Sequence, residues 1–168
     1  MTVHLKKTVA AKSVPITVVD AASFQQLLPA LAPATARWLD TVGFQGKPDS
    51  HALIPAADGG LAQVFAGAAH ADDPFALAAL PTSLPAGSYR IDDQGMSLSP
   101  ECAALSWSMG GYAFDRYKAR KRAPATLLLR SGAAGERGLQ LADAIAMARD
   151  LINTPAEHMG PQDLARAA

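Results

Sequence analysis

Val14-Pro15-Ile16-Thr17-Val18-Val19-Asp20 is the stretch from which the fold can be read outward. β-Branched side chains crowd a helix but pack well on a pleated surface, so Val14 to Val19 reads as a buried strand. Asp20 and Ser23 are short acceptors able to take the free N–H groups of a first helical turn, so a helix opens at one of them. Downstream, Pro29 and Pro33 punctuate the chain, and Thr35 to Val42, with Trp38 and Leu39, reads as a short amphipathic helix ended by Gly43. After the polar linker Gln45 to Ser50, the apolar runs His51 to Pro55 and Leu61 to Phe65 flank Asp58-Gly59-Gly60, the pattern of an antiparallel hairpin. Phe75 to Leu80 is expected to form one or two helical turns, and Gly87 to Ile91 a short strand.

The second half continues the alternation. Ser99-Pro100-Glu101 sets an N-cap, a first-turn proline and a first-turn acid ahead of a helix expected to reach about Lys118. Ala104, Trp107, Gly111, Phe114 and Lys118 recur along it at helical spacing, which turns most of that stripe to the core. Gly110 and Gly111 inside a helix each cost about 1 kcal/mol relative to Ala, so a close contact is expected there. Ala125 to Leu129 reads as an apolar strand, and Leu141, Ile145, Ala148 and Ile152 as the apolar stripe of a second long helix, stopped by Thr154-Pro155. Gly160 to Arg166 reads as a helix start without a C-cap, as though the chain were cut inside an element. The class is therefore α/β, a three-layer α/β/α arrangement with helices on the sheet faces and a mixed sheet because of the hairpin.

Composition narrows the functions. The 168 residues with 49% hydrophobic content suffice for one domain with its own core. Fifteen Lys and Arg balance fifteen Asp and Glu, so no global field draws the chain to nucleic acid or an anionic membrane. The lone Cys102 excludes an internal disulfide, a CxxC pair and a cysteine-built zinc site. Lys6 and Lys7 precede apolar residues, but Lys12, Pro15 and Asp20 interrupt them before a signal-peptide core forms, and no membrane-spanning run occurs. A soluble, cytoplasmic protein is expected.

Candidate chemistry is sparse. His4, His51, His70 and His158 lack any metal-ligand spacing and read as surface or loop residues. Asp72-Asp73 and Asp92-Asp93 read as turn residues. Cys102 lies in a helix's first turn, where the dipole can lower a thiol pKa, but without an identifiable base it reads as a packed thiol. Ser131 to Gly138, with Gly132, Gly135 and Gly138, follows a strand and precedes a helix, where N–H groups can cradle phosphate. It matches neither the P-loop nor the dinucleotide fingerprint, and a flexible connection is the better reading. Arg116, Lys118, Arg120, Lys121 and Arg122 gather five cations at the expected end of the first long helix, where they complement its carbonyl end. With Tyr112 and Tyr117 they form the minority case for single-stranded nucleic acid.

Two strings add what spacing does not. Gly110-Gly-Tyr-Ala-Phe-Asp-Arg-Tyr-Lys118 resembles a Gly-x-Tyr-x-Phe-x-Arg-Tyr-Lys stretch of the leucyl (cytosol) aminopeptidases. Ala148-Arg-Asp-Leu-Ile-Asn-Thr-Pro-Ala-Glu-His-Met-Gly-Pro161 resembles the family's Ala-Arg-Asp-Leu-x-Asn-Thr-Pro-x-Asn-x-x-x-Pro junction, with Glu157 where many relatives have Asn. The resemblance spans about Ser106 to Ala168. It implies a macro-domain-like N-terminal domain over residues 1–135, with residues 136–168 forming a linker helix, Leu139 to Thr154, and the start of a catalytic domain.

The same resemblance implies a parent enzyme that removes N-terminal residues from peptides with two divalent metals, zinc or manganese, in a homohexamer built around its catalytic domains. The family's Asn-Thr-Asp-Ala-Glu-Gly-Arg metal motif does not occur here, since Asn153-Thr154 is followed by Pro155. No catalytic, metal or cofactor residue is therefore assigned in this chain, which is expected to be inactive alone. A binding module for a nucleotide-type ligand or for DNA is the alternative.

Overall fold

The computed structural model describes residues 2–6, 12–120 and 122–167. Among them six strands form one sheet: β1 (Val3–Lys6), β2 (Val14–Val19), β3 (His51–Pro55), β4 (Leu61–Gly67), β5 (Ser88–Ile91) and β6 (Thr126–Arg130). Their order is β1-β6-β5-β2-β4-β3, and every pair is parallel except the β3–β4 hairpin, so the sheet is mixed. The helices are α1 (Ala21–Leu27), α2 (Pro33–Thr41), α3 (Leu80–Ser83), α4 (Pro100–Gly110), α5 (Ala133–Asn153) and α6 (Pro161–Ala167). None of the described helices is long and apolar enough to cross a membrane.

Strand alternation explains the layers. Along β2, Ile16 and Val18 join one core cluster while Val19 joins another, because successive side chains leave a sheet on opposite faces. The larger cluster holds Val64, Tyr89, Leu127 and Leu129 from the sheet, and Leu77, Leu80, Leu84 and Trp107 from the chain around α3 and α4. The smaller sets Phe24 of α1 and Leu39 of α2 against Phe65, with Phe44 edge-on to Phe24 at 5.1 Å. Asp20 and Ser23 both take part in starting α1: Asp20 Oδ1 accepts from the Ser23 N–H at 2.7 Å, and Ser23 Oγ accepts from the Asp20 N–H at 2.9 Å. This reciprocal cap holds the Asp20 carboxyl below its ordinary pKa, chiefly through the Ser23 backbone N–H. Gly43, at φ +69°, turns the chain out of α2 in the left-handed region that glycine tolerates.

Three expectations need correction. Phe75 to Ala79 is a run of turns, and the helix begins only at Leu80. The helix opened by Ser99 ends at Gly110, not near Lys118; Gly111 caps it and residues 112–120 are irregular. A Cβ on Gly110 would overlap the Ala78 carbonyl oxygen, and one on Gly111 would crowd Thr2, so the expected close contact is present at the helix end. α5 starts at Ala133, which makes most of Ser131 to Gly138 helix instead of a flexible connection. The Leu141-Ile145-Ala148-Ile152 stripe does lie on α5, and none of its four residues is buried. Leu141 is 40% and Ile152 83% exposed, and the buried residues of α5 are Gly135, Gly138 and Ala142. Small residues fit there because α5 lies close on α4: a Cβ on Gly138 would overlap the Glu101 carbonyl oxygen.

Candidate functional site

Past Gly111 the chain loses its helical hydrogen bonds and is held from outside by the end of α5. Tyr112 donates its phenolic hydrogen to Asp150 Oδ1 at 2.7 Å and accepts from Asn153 Nδ2 at 3.2 Å. The Arg149 guanidinium lies 5.2 Å from the Tyr112 ring centroid and donates to the Met109 carbonyl at 3.3 Å, at the open end of α4. Arg116 donates to Thr154 Oγ1 at 3.4 Å, while Thr154, buried, donates to the Asp150 carbonyl at 2.7 Å. Tyr117 stacks on His158 at 5.5 Å between centroids, with its hydroxyl 2.7 Å from Nδ1. Removal from water, followed by the hydrogen bond to Asp150, raises the Tyr112 pKa above its ordinary value.

Each of these contacts is worth about 1 kcal/mol or less at a surface. Together they fix one arrangement. The 112–117 strap and the 149–158 stretch form a clasp, and they are the two strings singled out in the sequence. Their contact was not anticipated. The available signal was complementarity, Tyr and Arg in one string facing Asp, Asn and Thr in the other.

A cavity of about 480 Å³ lies beside the clasp, lined by Thr2, Gly111, Asp115, Arg120, Leu139 and Asp143 among others. A second, of about 790 Å³, lies at the carboxyl ends of β5 and β6 near Arg90, Asp92, Asp93 and Arg130. Two of these four charges are engaged: Arg90 donates to the Ser13 carbonyl, and Asp92 accepts from the Thr17 hydroxyl at 2.6 Å and the Gln94 N–H at 3.1 Å.

The other candidate residues stay apart. His4, His51, His70 and His158 are exposed. Among the described residues no group of three His, Cys, Asp or Glu side chains could hold a metal ion. Asp73 takes the Phe75 N–H at 2.8 Å, and with Asp92 it serves a turn, as expected. Cys102 is half-buried, its N–H held by Ser99 Oγ at 3.1 Å.

The cations do not complement a helix end, because α4 stops before them. Arg116 joins the clasp, Arg120 faces Asp115 at 3.9 Å, and Arg122 donates to the Leu84 carbonyl at 2.7 Å; Lys121 lies outside the described residues.

Comparison with known proteins places this geometry. A family model described as the N-terminal domain of M17 aminopeptidases matches residues 14–130. A probable cytosol aminopeptidase of Xanthobacter autotrophicus is 34% identical over 103 residues, 53% of this chain and 21% of the relative. One of Methylobacterium radiotolerans is 42% identical over 77 residues, 39% of this chain and 15% of the relative. The chain thus spans about a fifth or less of these relatives. The crystal structure of a cytosol aminopeptidase from Coxiella burnetii superposes with a TM-score of 0.85 at 28% identity, covering 99% of this chain and 36% of the other. The bottromycin maturation enzyme BotP, at 24% identity and TM-score 0.64 over 94% of this chain and 36% of its own, shares the fold.

Proposed function

The chain belongs to the M17 aminopeptidase family, as its N-terminal domain, and on that premise we propose that the whole protein removes N-terminal residues from peptides. Residues 1–168 play a scaffolding part in that activity. The observation that carries the reading is the superposition on a cytosol aminopeptidase over 99% of this chain, with only 36% of the enzyme matched.

Two divalent metals, zinc or manganese, belong in this reading to the catalytic region of the parent protein. Two-metal hydrolysis needs ligands for both ions, an activated water and charge stabilisation for the tetrahedral intermediate. The described residues do not fit such a pair, since no His, Cys, Asp or Glu group among them could hold an ion. No step of the reaction is assigned to them.

In the same reading the protein is cytoplasmic and assembles as a homohexamer through its catalytic domains. Residues 1 to about 135 make the macro-domain-like unit, and residues 136–168 make the linker helix and the start of the catalytic domain. The clasp supports that division of labour, because it fixes the direction in which the chain leaves α5.

The test is hydrolysis of leucine p-nitroanilide. Residues 1–168 supplied with zinc or manganese should give no rate above metal alone, whereas the full-length protein should turn over and lose activity to a chelator. Metal-dependent turnover by the pure 168-residue chain would refute the scaffold role. A full-length protein indifferent to chelation would refute the metallopeptidase reading.

A further inference from the structure

α5 carries two different faces. Gly135, Gly138 and Ala142 are buried, with Gly135 against Leu5 of β1 and Gly138 against α4. Leu141, Ile145, Ala148 and Ile152 recur at intervals of four, three and four residues, the spacing of a helix–helix seam. Most of that row looks outward. Leu141 is 40% and Ile152 83% exposed, Ala148 is exposed and Ile145 is half-buried. Scattered apolar residues on a surface need no explanation, but a continuous aliphatic row along one helix marks an interaction surface.

We propose that in the full-length protein this row is covered by the polypeptide that follows residue 168, through an apolar face of its peptidase region. The inference rests on the function proposed above. Two observations select this occupant over a second copy of the chain. The Coxiella enzyme is matched over only 36% of its length, so most of its polypeptide lies outside the part shared with this chain. The clasp, meanwhile, uses Arg149, Asp150 and Asn153 to pin the other flank of the same helix end, so the chain leaves α5 next to Ile152 with the row still open. α5 then serves as a wall of this domain on one side and as half of the joint between domains on the other.

Thiol labelling of the full-length protein tests this. Leu141→Cys and Ile152→Cys are made separately, with Glu136→Cys, an exposed position on the same helix, as reference. Maleimide alkylation at each position is followed by peptide mass spectrometry. Positions 141 and 152 should react at least about tenfold more slowly than 136, as expected for side chains that need a local opening to react. Dilution should not change the rates.

Equal rates at all three positions would overturn the proposal, and protection that fades on dilution would assign the row to a second copy instead. Should one variant fail to fold, the other still decides. Protection in a protein without peptidase activity would refute the proposed function alone. Full labelling in an active peptidase would refute the joint alone.

Discussion

Trp107 shows how much of the core hangs on one side chain. It is fully buried, donates its indole N–H to the Ala125 carbonyl at 3.2 Å, and lies 6.1 Å from the Tyr89 ring centroid. Truncation removes packing on both neighbours and leaves a cavity, so Trp107→Ala should cost about 3–5 kcal/mol in urea unfolding. A loss below about 1 kcal/mol would mean that the surroundings collapse into the space. Tyr112 makes a different prediction, about pH. Its folded pKa is raised above 10.0 by removal from water and then by Asp150. The folded chain therefore holds the phenolic proton more tightly than the unfolded chain. The resulting stabilisation is fully present below pH 10 and is lost as pH rises through the folded value. Tyr112→Phe should melt below the wild type near neutral pH, with the gap closing in alkali. A gap that stays constant into alkali would detach the hydroxyl from the clasp.

At the scale of elements, β2, the β3–β4 hairpin, β5 and the Ser99 cap were legible because each is decided locally, by β-branching, turn glycines or a capping oxygen. α4 was read too long because Phe114 and Lys118 happen to continue its period, while the adjacent Gly110 and Gly111 mark the end. β1 was missed. Its four residues alternate, Val3 buried and Leu5 half-buried against exposed His4 and Lys6, but so short an edge strand needs its partner β6 to be recognised. The stripe on α5 has the helical period that the sequence shows, but periodicity gives an apolar side without saying what covers it. The clasp, likewise, depends on contacts 38 to 41 residues apart along the chain, which no local window contains. The α4–α5 contact also predicts a reversal of helix propensity. At an open helical site Gly→Ala gains up to about 1 kcal/mol. At Gly138 the new methyl would meet the backbone oxygen of Glu101. Gly138→Ala should therefore destabilise by about 1–3 kcal/mol, the cost of overpacking. A gain in stability would show that the two helices can part freely.

For the molecule as a whole, the question is how far the domain depends on the helix that leads out of it. The family model matches residues 14–130, which include β6 but none of α5. Yet Gly135 covers Leu5, Gly138 covers Ala104, and Leu139 packs against the main core cluster. A chain ended at Ser131 would expose these contacts along α4 and β1, whereas one ended at His158 would lose only α6, which buries no residue. Loss of about 3 kcal/mol in a domain of this size lowers the melting temperature by roughly 10 °C. The chain ended at Ser131 should melt lower than residues 1–168 by at least that much, or lose its cooperative transition. The chain ended at His158 keeps the clasp through Tyr117 and should melt within a few degrees of residues 1–168. Melts followed by circular dichroism on the three chains decide the matter. If the shortest melts like the longest, α5 is only a connector laid against a domain complete without it. If it collapses, the first half of α5 is part of the domain's own cover, and a force applied to the far end of that helix reaches the sheet through α4.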